Sequence, residues 1–196
     1  MANGRRAAVL CIPSRLENAG DLPILLLRRA RIRLRVPMTD ESDFRIAAIE
    51  LDERTVVRRT REIEQEREIA IYDLLEANRF KPQGSPGGPY KLLLAIEENR
   101  LVFDIRLENG AEHGRVVLSL TPFRKIVKDY FLTCESYFKA IRNAPPPQIE
   151  TIDMSRRSIH DEGSRLLIER LTGKIELDHD TARRLFTLLC VLHLRG

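Results

Sequence analysis

The amino-acid sequence predicts an α+β domain in which a small antiparallel β-meander packs against about four helices. Two observations predict this fold. Three consecutive apolar segments are separated by turn signals, and several longer segments repeat apolar residues at helical spacing. The chain has 196 residues, of which 43% are hydrophobic and 32% charged, so it suits a single globular domain over about residues 44–196.

The first part of this domain is predicted to form a strand, a helix and a loop. The apolar run Phe44–Leu51 is a candidate strand. Thr60 is a helix-capping residue type, and apolar residues recur on one face of the segment over about 61–78. Residues 81–89 contain three prolines and three glycines, which cannot sustain a periodic element, so we expect a loop there.

The next three segments predict the meander. Tyr90–Glu97 and Leu101–Leu107 flank Glu98–Arg100, a tight hairpin connection. In the second of these strands a large apolar residue recurs at every second position, which is the period of a half-buried strand. An Asn-Gly pair at residues 109–110 then turns the chain through a polar loop towards Val116–Leu120, where the alternation returns.

Two long amphipathic helices are predicted after the meander. Thr121 offers a capping hydroxyl and Pro122 occupies the first helical position, so a helix of about five or six turns begins there. A second helix covers about 148–171, and Gly173 can end it in the left-handed conformation. Gly163 within this helix costs about 1 kcal/mol relative to alanine, so we expect close packing at that position.

The last helix is predicted to lie at the centre of the domain. It is capped by Asp178 or Asp180 and runs to His193. Residues 185–194 are apolar on almost every side, which is typical of a helix that is covered all round. Ten residues are too few to cross a bilayer, so we expect no membrane association.

The basic character of the chain belongs to its first 37 residues. The chain has a net charge of +4 and a pI near 9.1, which at first suggests a nucleic-acid ligand. Residues 1–37, however, hold eight arginines and two acidic residues and therefore carry +6, whereas residues 38–196 carry −2. Nucleic-acid binding by the folded domain is therefore not predicted.

Two interpretations of residues 1–37 are open. The preferred one is a mis-assigned start or a disordered leader, with Met38 as the physiological start and 38–43 as a disordered N-terminus. The other is a targeting segment, because leaders that are rich in arginine and poor in acids serve that role. The apolar runs Ala7–Ile12 and Leu22–Leu27 are too short to span a membrane. Three cysteines exclude a disulfide scaffold and fit a cytoplasmic protein.

The segment 152–163 holds the most informative polar residues. Helical spacing puts Arg156 on the same side as apolar residues, with Arg157 and His160 along the adjoining edge. One interpretation is a site for a small anionic ligand, a phosphate or carboxylate, at Arg156, Arg157 and His160. The alternative, which we favour, is that Arg156 pairs with a buried carboxylate such as Asp104 or Asp129.

No catalytic, metal or cofactor motif is recognised in the sequence. His160 and His179 have acidic neighbours but lack a second close pair of ligands, so no metal site is predicted. The glycines of 84–88 lack the Gly-Lys-Ser/Thr ending of a phosphate loop, and no nucleophile elbow or zinc-protease pair occurs. Cys134 and Cys190 lie in apolar helical settings and are predicted to be buried. We therefore expect no cofactor and assign no catalytic residue.

Four segments resemble uncharacterised protein family 0262, a bacterial and mainly alphaproteobacterial group. They are Leu120–Phe131, Cys134–Tyr137, Ile152–Arg157 and Asp180–Phe186. The resemblance covers about residues 44–196 and favours a start at Met38, near which such proteins begin. It implies no activity, cofactor or catalytic residue.

The sequence alone therefore leads to two functional hypotheses. The first is a cytoplasmic, non-catalytic interaction or regulatory protein with a protein partner. The alternative is a binder of, or an enzyme acting on, a small anionic ligand at Arg156, Arg157 and His160. Whether those side chains line an open pocket or pair with internal carboxylates distinguishes the two.

Overall fold

The structure is a computed structural model, and it describes residues 43–52 and 60–193. The predicted leader over 1–37 and the predicted start at Met38 lie outside the described residues. The elements in chain order are β1 (Ile46–Leu51), α1 (Arg61–Glu76), β2 (Phe80–Pro82), β3 (Tyr90–Glu97), β4 (Arg100–Leu107), β5 (Glu112–Ser119), a 3₁₀ turn (Thr121–Phe123), α2 (Arg124–Asn143), α3 (Pro146–Leu171), β6 (Ile175–Leu177) and α4 (His179–Leu192).

The predicted antiparallel meander is confirmed, and one further strand extends it. β3, β4 and β5 pair in antiparallel fashion in that order. β1 pairs in parallel with β3, so the four-stranded sheet is mixed. A parallel pair needs a long connection to bring the chain back to the same edge. The segment that contains α1 supplies this connection.

A second, two-stranded sheet occupies part of the segment that was predicted to be only a loop. Phe80 pairs with Leu177, Lys81 with Glu176 and Pro82 with Ile175. The loop prediction is therefore wrong for Lys81 and Pro82. The pairing partner lies almost a hundred residues further along the chain, and this tertiary contact overrides the local preference of a proline-rich segment.

The ends of α1 follow from side-chain hydrogen bonds. Thr60 Oγ1 accepts from the Ile63 N–H at 3.4 Å, as predicted for a capping residue. The helix ends at Glu76, two residues before the predicted end, because the side chain of Asn78 forms hydrogen bonds with backbone carbonyl groups. Its Nδ2 donates to the carbonyls of Leu74 at 2.7 Å and Ile46 at 3.0 Å, which ties the helix end to β1.

The long helices begin slightly differently from the prediction. Thr121 is the first residue of a 3₁₀ turn and does not cap α2, because its hydroxyl lies 3.3 Å from Asn99 Nδ2. α3 begins at Pro146, since proline is tolerated in the first turn of a helix. Gly173 follows the end of α3 with φ +76°, so the predicted left-handed glycine is confirmed.

The prediction that the last helix is central is confirmed. Asp178 caps α4, and its Oδ1 accepts from the Thr181 N–H at 2.7 Å. Every residue from Leu185 to Leu192 is buried. Most of these residues share one apolar cluster with the sheet and with α1, α2 and α3. None of the helices in the described ranges is long and apolar enough to cross a membrane.

Gly163 is the point of closest approach between α3 and α4. A Cβ added at this glycine would overlap the ring of Phe186, which is fully buried. Only hydrogen fits there, so the predicted close packing is confirmed.

We expect Gly163→Ala to lower the free energy of unfolding by about 1–3 kcal/mol, because overpacking exceeds the gain in helix propensity. Urea denaturation of the full chain measures this. In a Phe186→Leu background the same substitution should no longer destabilise. An equal loss of stability in both backgrounds would contradict the contact.

Candidate functional site

α3 places Arg156 against α1, where it pairs with two carboxylates. Its Nε and Nη2 each donate to Asp153 Oδ1 at 3.2 Å, and its Nη1 lies 3.5 Å from Glu66 Oε1. Its guanidinium also stacks on Tyr137, 5.0 Å from the ring centroid. Arg156 therefore has carboxylate partners, as the favoured alternative predicted, but the suggestion of Asp104 or Asp129 is wrong.

Arg157 shares a carboxylate with Arg156. Its Nε donates to Asp153 Oδ2 at 2.8 Å, and its side chain is 69% exposed. Burial raises the pKa of Asp153, but the hydrogen bonds and charges of the two arginines outweigh it and hold that pKa below its usual value. The two arginines are thus brought together around an anion that the protein itself provides.

His160 lies one turn further along α3 and faces α4. It is only 6% exposed, and its ring makes edge-on contacts with Tyr130 and Phe186. Its Nδ1 lies 3.4 Å from Thr187 Oγ1, whereas the buried Nε2 has no hydrogen-bond partner among the described residues. Burial, followed by the charges of Arg156 and Arg183, lowers the pKa of His160 to about 4, so the imidazole is neutral at neutral pH.

A cleft of about 220 Å³ between α1, α3 and α4 contains His160 in its wall. Its lining is mostly polar and consists of Glu66, Ile69, Ala70, Asp73, His160, Asp180, Arg183, Arg184 and Thr187. Arg156 reaches the cleft indirectly, through its ion pair with Glu66. Burial raises the pKa of Glu66, and the charge of Arg156 opposes that rise.

Both cleft arginines of α4 pair with carboxylates of neighbouring helices. Arg183 Nη1 lies 3.2 Å from Asp161 Oδ1 on α3, and Arg184 Nε lies 4.0 Å from Asp73 Oδ2 on α1. These pairs tie the polar start of α4 to α3 and α1. They also neutralise much of the charge of the cleft.

Ser164, His179 and Asp161 lie together but cannot work as a catalytic triad. Ser164 Oγ lies 3.0 Å from His179 Nε2, and it donates its one hydrogen to the backbone carbonyl of Asp161, also at 3.0 Å. His179 Nε2 must then donate to Ser164, so it cannot accept the serine proton. Ser164 is also completely buried, and no substrate reaches it.

A second cavity is an apolar groove of about 400 Å³ between the start of α1 and α2. We call it the α1–α2 groove, and its lining residues are Thr60, Glu62, Ile63, Phe131, Cys134, Glu135, Phe138, Lys139 and Arg142. Two ion pairs lie along it. Arg142 Nη2 is 3.0 Å from Glu62 Oε1, and Lys139 Nζ is 2.7 Å from Glu135 Oε1.

The cysteine in this groove is held in its protonated form. Burial, followed by the charge of Glu66, raises the pKa of the Cys134 thiol to about 11. Burial also raises the pKa of Cys190. Both thiols are free and buried, as predicted. Within residues 43–52 and 60–193, no group of three or more His, Cys, Asp or Glu side chains is placed to hold a metal ion.

The sequence reasoning missed most of the cleft and the groove. It singles out His160, but no sequence pattern places Glu66, Arg183 or Arg184 beside this histidine. Phe131, Cys134 and Phe138 recur at helical spacing on α2, and this pattern alone indicates a buried face. Only the packing shows that the same face remains partly open beside α1.

Comparison with known proteins identifies relatives that are named only by their family. The sequence profile of the Uncharacterised protein family (UPF0262) matches residues 43–195. A UPF0262 protein of Nitrobacter winogradskyi is 59% identical over 160 residues, which are 82% of this chain and 96% of the relative. One from Rhizobium meliloti is 57% identical over 159 residues, covering 81% of this chain and 100% of the relative. No solved structure matches the chain. The resemblance noted in the sequence is confirmed.

We expect His160 to make folding stability depend on pH in the acidic range. Its pKa is about 4 in the folded chain and about 6.5 when unfolded, so its contribution is complete above about pH 6.5 and is lost as the pH falls towards 4. The loss for this one group is about 3 kcal/mol. Urea denaturation at a series of pH values measures it.

The comparison that isolates this group uses two variants. His160→Phe should remove about that much of the acid sensitivity, whereas His113→Phe, which alters a histidine on β5 beside Tyr90, should retain it. The same pH dependence in wild type and His160→Phe would contradict the assignment.

Proposed function

We propose that this chain, which belongs to the Uncharacterised protein family (UPF0262), is a non-catalytic interaction or regulatory protein that binds an amphipathic helix of a partner protein. The α1–α2 groove is the observation that carries the proposal. Its floor is formed by apolar side chains, Ile63 on one side and Phe131, Cys134 and Phe138 on the other.

The shape of the groove favours a helix as its occupant. Phe131, Cys134 and Phe138 follow one another at intervals of three and four residues along α2. A helix that lies in such a groove contacts it with apolar residues at i, i+3 or i+4, and i+7. The volume of about 400 Å³ accommodates a few large side chains of such a helix.

The charges of the groove favour a partner helix with both signs of charge. Glu62 and Glu135 contribute acids, and Lys139 and Arg142 contribute bases. Lys139, Glu135 and Arg142 are largely exposed, so their ion pairs exchange readily with those of a partner. Charges around an apolar floor supply specificity and orientation more than affinity.

The chemistry of the groove favours binding over catalysis. The Cys134 thiol is protonated at neutral pH, because its pKa is about 11. The charged residues of the groove are held in ion pairs with one another. For the cellular compartment we propose the cytoplasm, since free thiols such as Cys134 and Cys190 suit a reducing environment.

A small anionic ligand at Arg156, Arg157 and His160 is the second candidate. The observation that favours it is the exposure of Arg157, whose guanidinium has donors left after its bond to Asp153. Saturable binding of inorganic phosphate that Arg157→Gln abolishes would support this candidate. Phosphate binding that survives in Arg157→Gln, or no binding at all, would contradict it.

Selection of helical peptides against the full chain tests the groove. We expect selected peptides to carry apolar residues at i, i+3 or i+4, and i+7. Phe138→Asp should weaken their binding at least tenfold, or by about 1.4 kcal/mol, because it places a charge on the apolar floor.

The matched control is Leu132→Asp, which alters an exposed leucine of α2 outside the groove and should bind like the wild type. Ile63→Asp serves as a second groove variant. Circular dichroism verifies that all three variants are folded. Peptides without this spacing, or peptides that bind both groove variants like the wild type, would contradict the proposal.

A further inference from the structure

The cleft between α1, α3 and α4 contains a buried polar atom that the protein leaves unpaired. His160 is 6% exposed, and its Nε2 has no hydrogen-bond partner among the described residues. Buried polar groups are almost always paired, because an unpaired one has lost its hydrogen bonds to water without replacement. The exception lies in the wall of a cleft whose other residues are mostly polar.

The hydrogen bonds of Thr187 determine whether His160 Nε2 is a hydrogen-bond donor or an acceptor. Thr187 Oγ1 lies 3.2 Å from the backbone carbonyl of Arg183, which can only accept, so the hydroxyl donates its one hydrogen there. The hydroxyl must then accept from His160 Nδ1, at 3.4 Å. A neutral imidazole with a hydrogen on Nδ1 has a bare Nε2. His160 therefore offers a hydrogen-bond acceptor and requires a donor.

Most charges of the cleft are balanced by pairs that already exist. Asp180 is in no ion pair among the described residues, but it lies in the first turn of α4, where the helix N-terminus favours its negative charge. Arg183 pairs with Asp161, and Arg184 lies 4.0 Å from Asp73. Glu66 pairs with Arg156 at 3.5 Å. An anionic ligand would have to compete with the resident carboxylates for Arg183 and Arg184, and a cationic ligand at Asp180 would lie in the same cleft as these two arginines. An uncharged polar ligand does not have to take the place of a charged partner.

The remaining polar groups require a ligand that both donates and accepts. Asp73, Asp180 and His160 Nε2 accept hydrogen bonds, whereas Arg183 and Arg184 only donate. A hydroxyl group does both. The volume of about 220 Å³ is below the range of drug-sized sites, so it limits the ligand to a few such groups.

We propose that this cleft binds a small uncharged polyhydroxylated molecule, a polyol or monosaccharide, one hydroxyl of which donates to His160 Nε2. This nitrogen lies beneath the surface, so side chains of the cleft wall have to shift when the ligand enters. The site is independent of the α1–α2 groove.

Chemical-shift titration of the isotope-labelled full chain tests the proposal. The probes are glycerol, myo-inositol, D-ribose and D-glucose as neutral ligands, inorganic phosphate as an anion and methylammonium as a cation. We expect at least one neutral probe to give saturable shifts at His160, Arg183 and Thr187, with none from phosphate or methylammonium at these residues. Shifts there that come from a charged probe instead would overturn the ligand class.

Two variants test the role of the imidazole. His160→Phe retains an aromatic ring against Tyr130 and Phe186 and should weaken binding about tenfold, since it removes the acceptor. Thr187→Val removes the hydroxyl that fixes the hydrogen on Nδ1 and should also weaken it. His113→Phe is the matched control and should bind like the wild type.

The outcomes separate this proposal from the helix-binding function. No saturable shift with any probe, or unchanged binding by both His160→Phe and Thr187→Val, would overturn the cleft as a ligand site. Neither result affects peptide binding to the groove, which Phe138→Asp tests separately.

Discussion

The rest of the structure depends on the complete burial of α4. Its residues from Leu185 to Leu192 are apolar apart from Thr187, and all of them are buried, so the helix has to be covered on every side. α1 and α3 pack against it, and it shares one apolar core with the sheet. α3 and α4 approach each other so closely that the ring of Phe186 fills the space that a side chain at Gly163 would occupy. This constraint fixes where the three helices meet.

The two cavities lie where the apolar packing between the helices ends. The first turns of α4 are polar, and there the helices meet through ion pairs and hydrogen bonds, with the cleft between them. α1 lines both cavities. Glu62 and Ile63 face the α1–α2 groove, whereas Glu66 and Asp73 face the cleft one to three turns later. The single hydrogen of a neighbouring hydroxyl group determines the hydrogen-bonding role of each of two histidines. Nε2 of His160 is a hydrogen-bond acceptor, whereas Nε2 of His179 is a hydrogen-bond donor.

Much of this fold can be predicted from the sequence, because its signals are local. The alternation in β4, the capping residues Asp178 or Asp180 and the apolar run of α4 each predict an element, and the structure contains each element, with Asp178 as the cap. What could not be predicted depends on distant partners. β1 pairs in parallel with β3, and Pro82 pairs with Ile175 across the chain. For the site, helical spacing identified His160 and Arg156. No spacing shows that Glu66 on another helix is the partner of Arg156.

The central claim is that His160 is a neutral imidazole whose Nε2 is a bare acceptor in the wall of the cleft. Long-range ¹H–¹⁵N correlation NMR of the histidine rings in the full chain tests it most directly, since it reports which nitrogen carries the hydrogen. The account predicts a hydrogen on Nδ1 and none on Nε2 at neutral pH, with the ring still neutral at about pH 5. A hydrogen on Nε2 at neutral pH, or a charged ring at about pH 6, would contradict it.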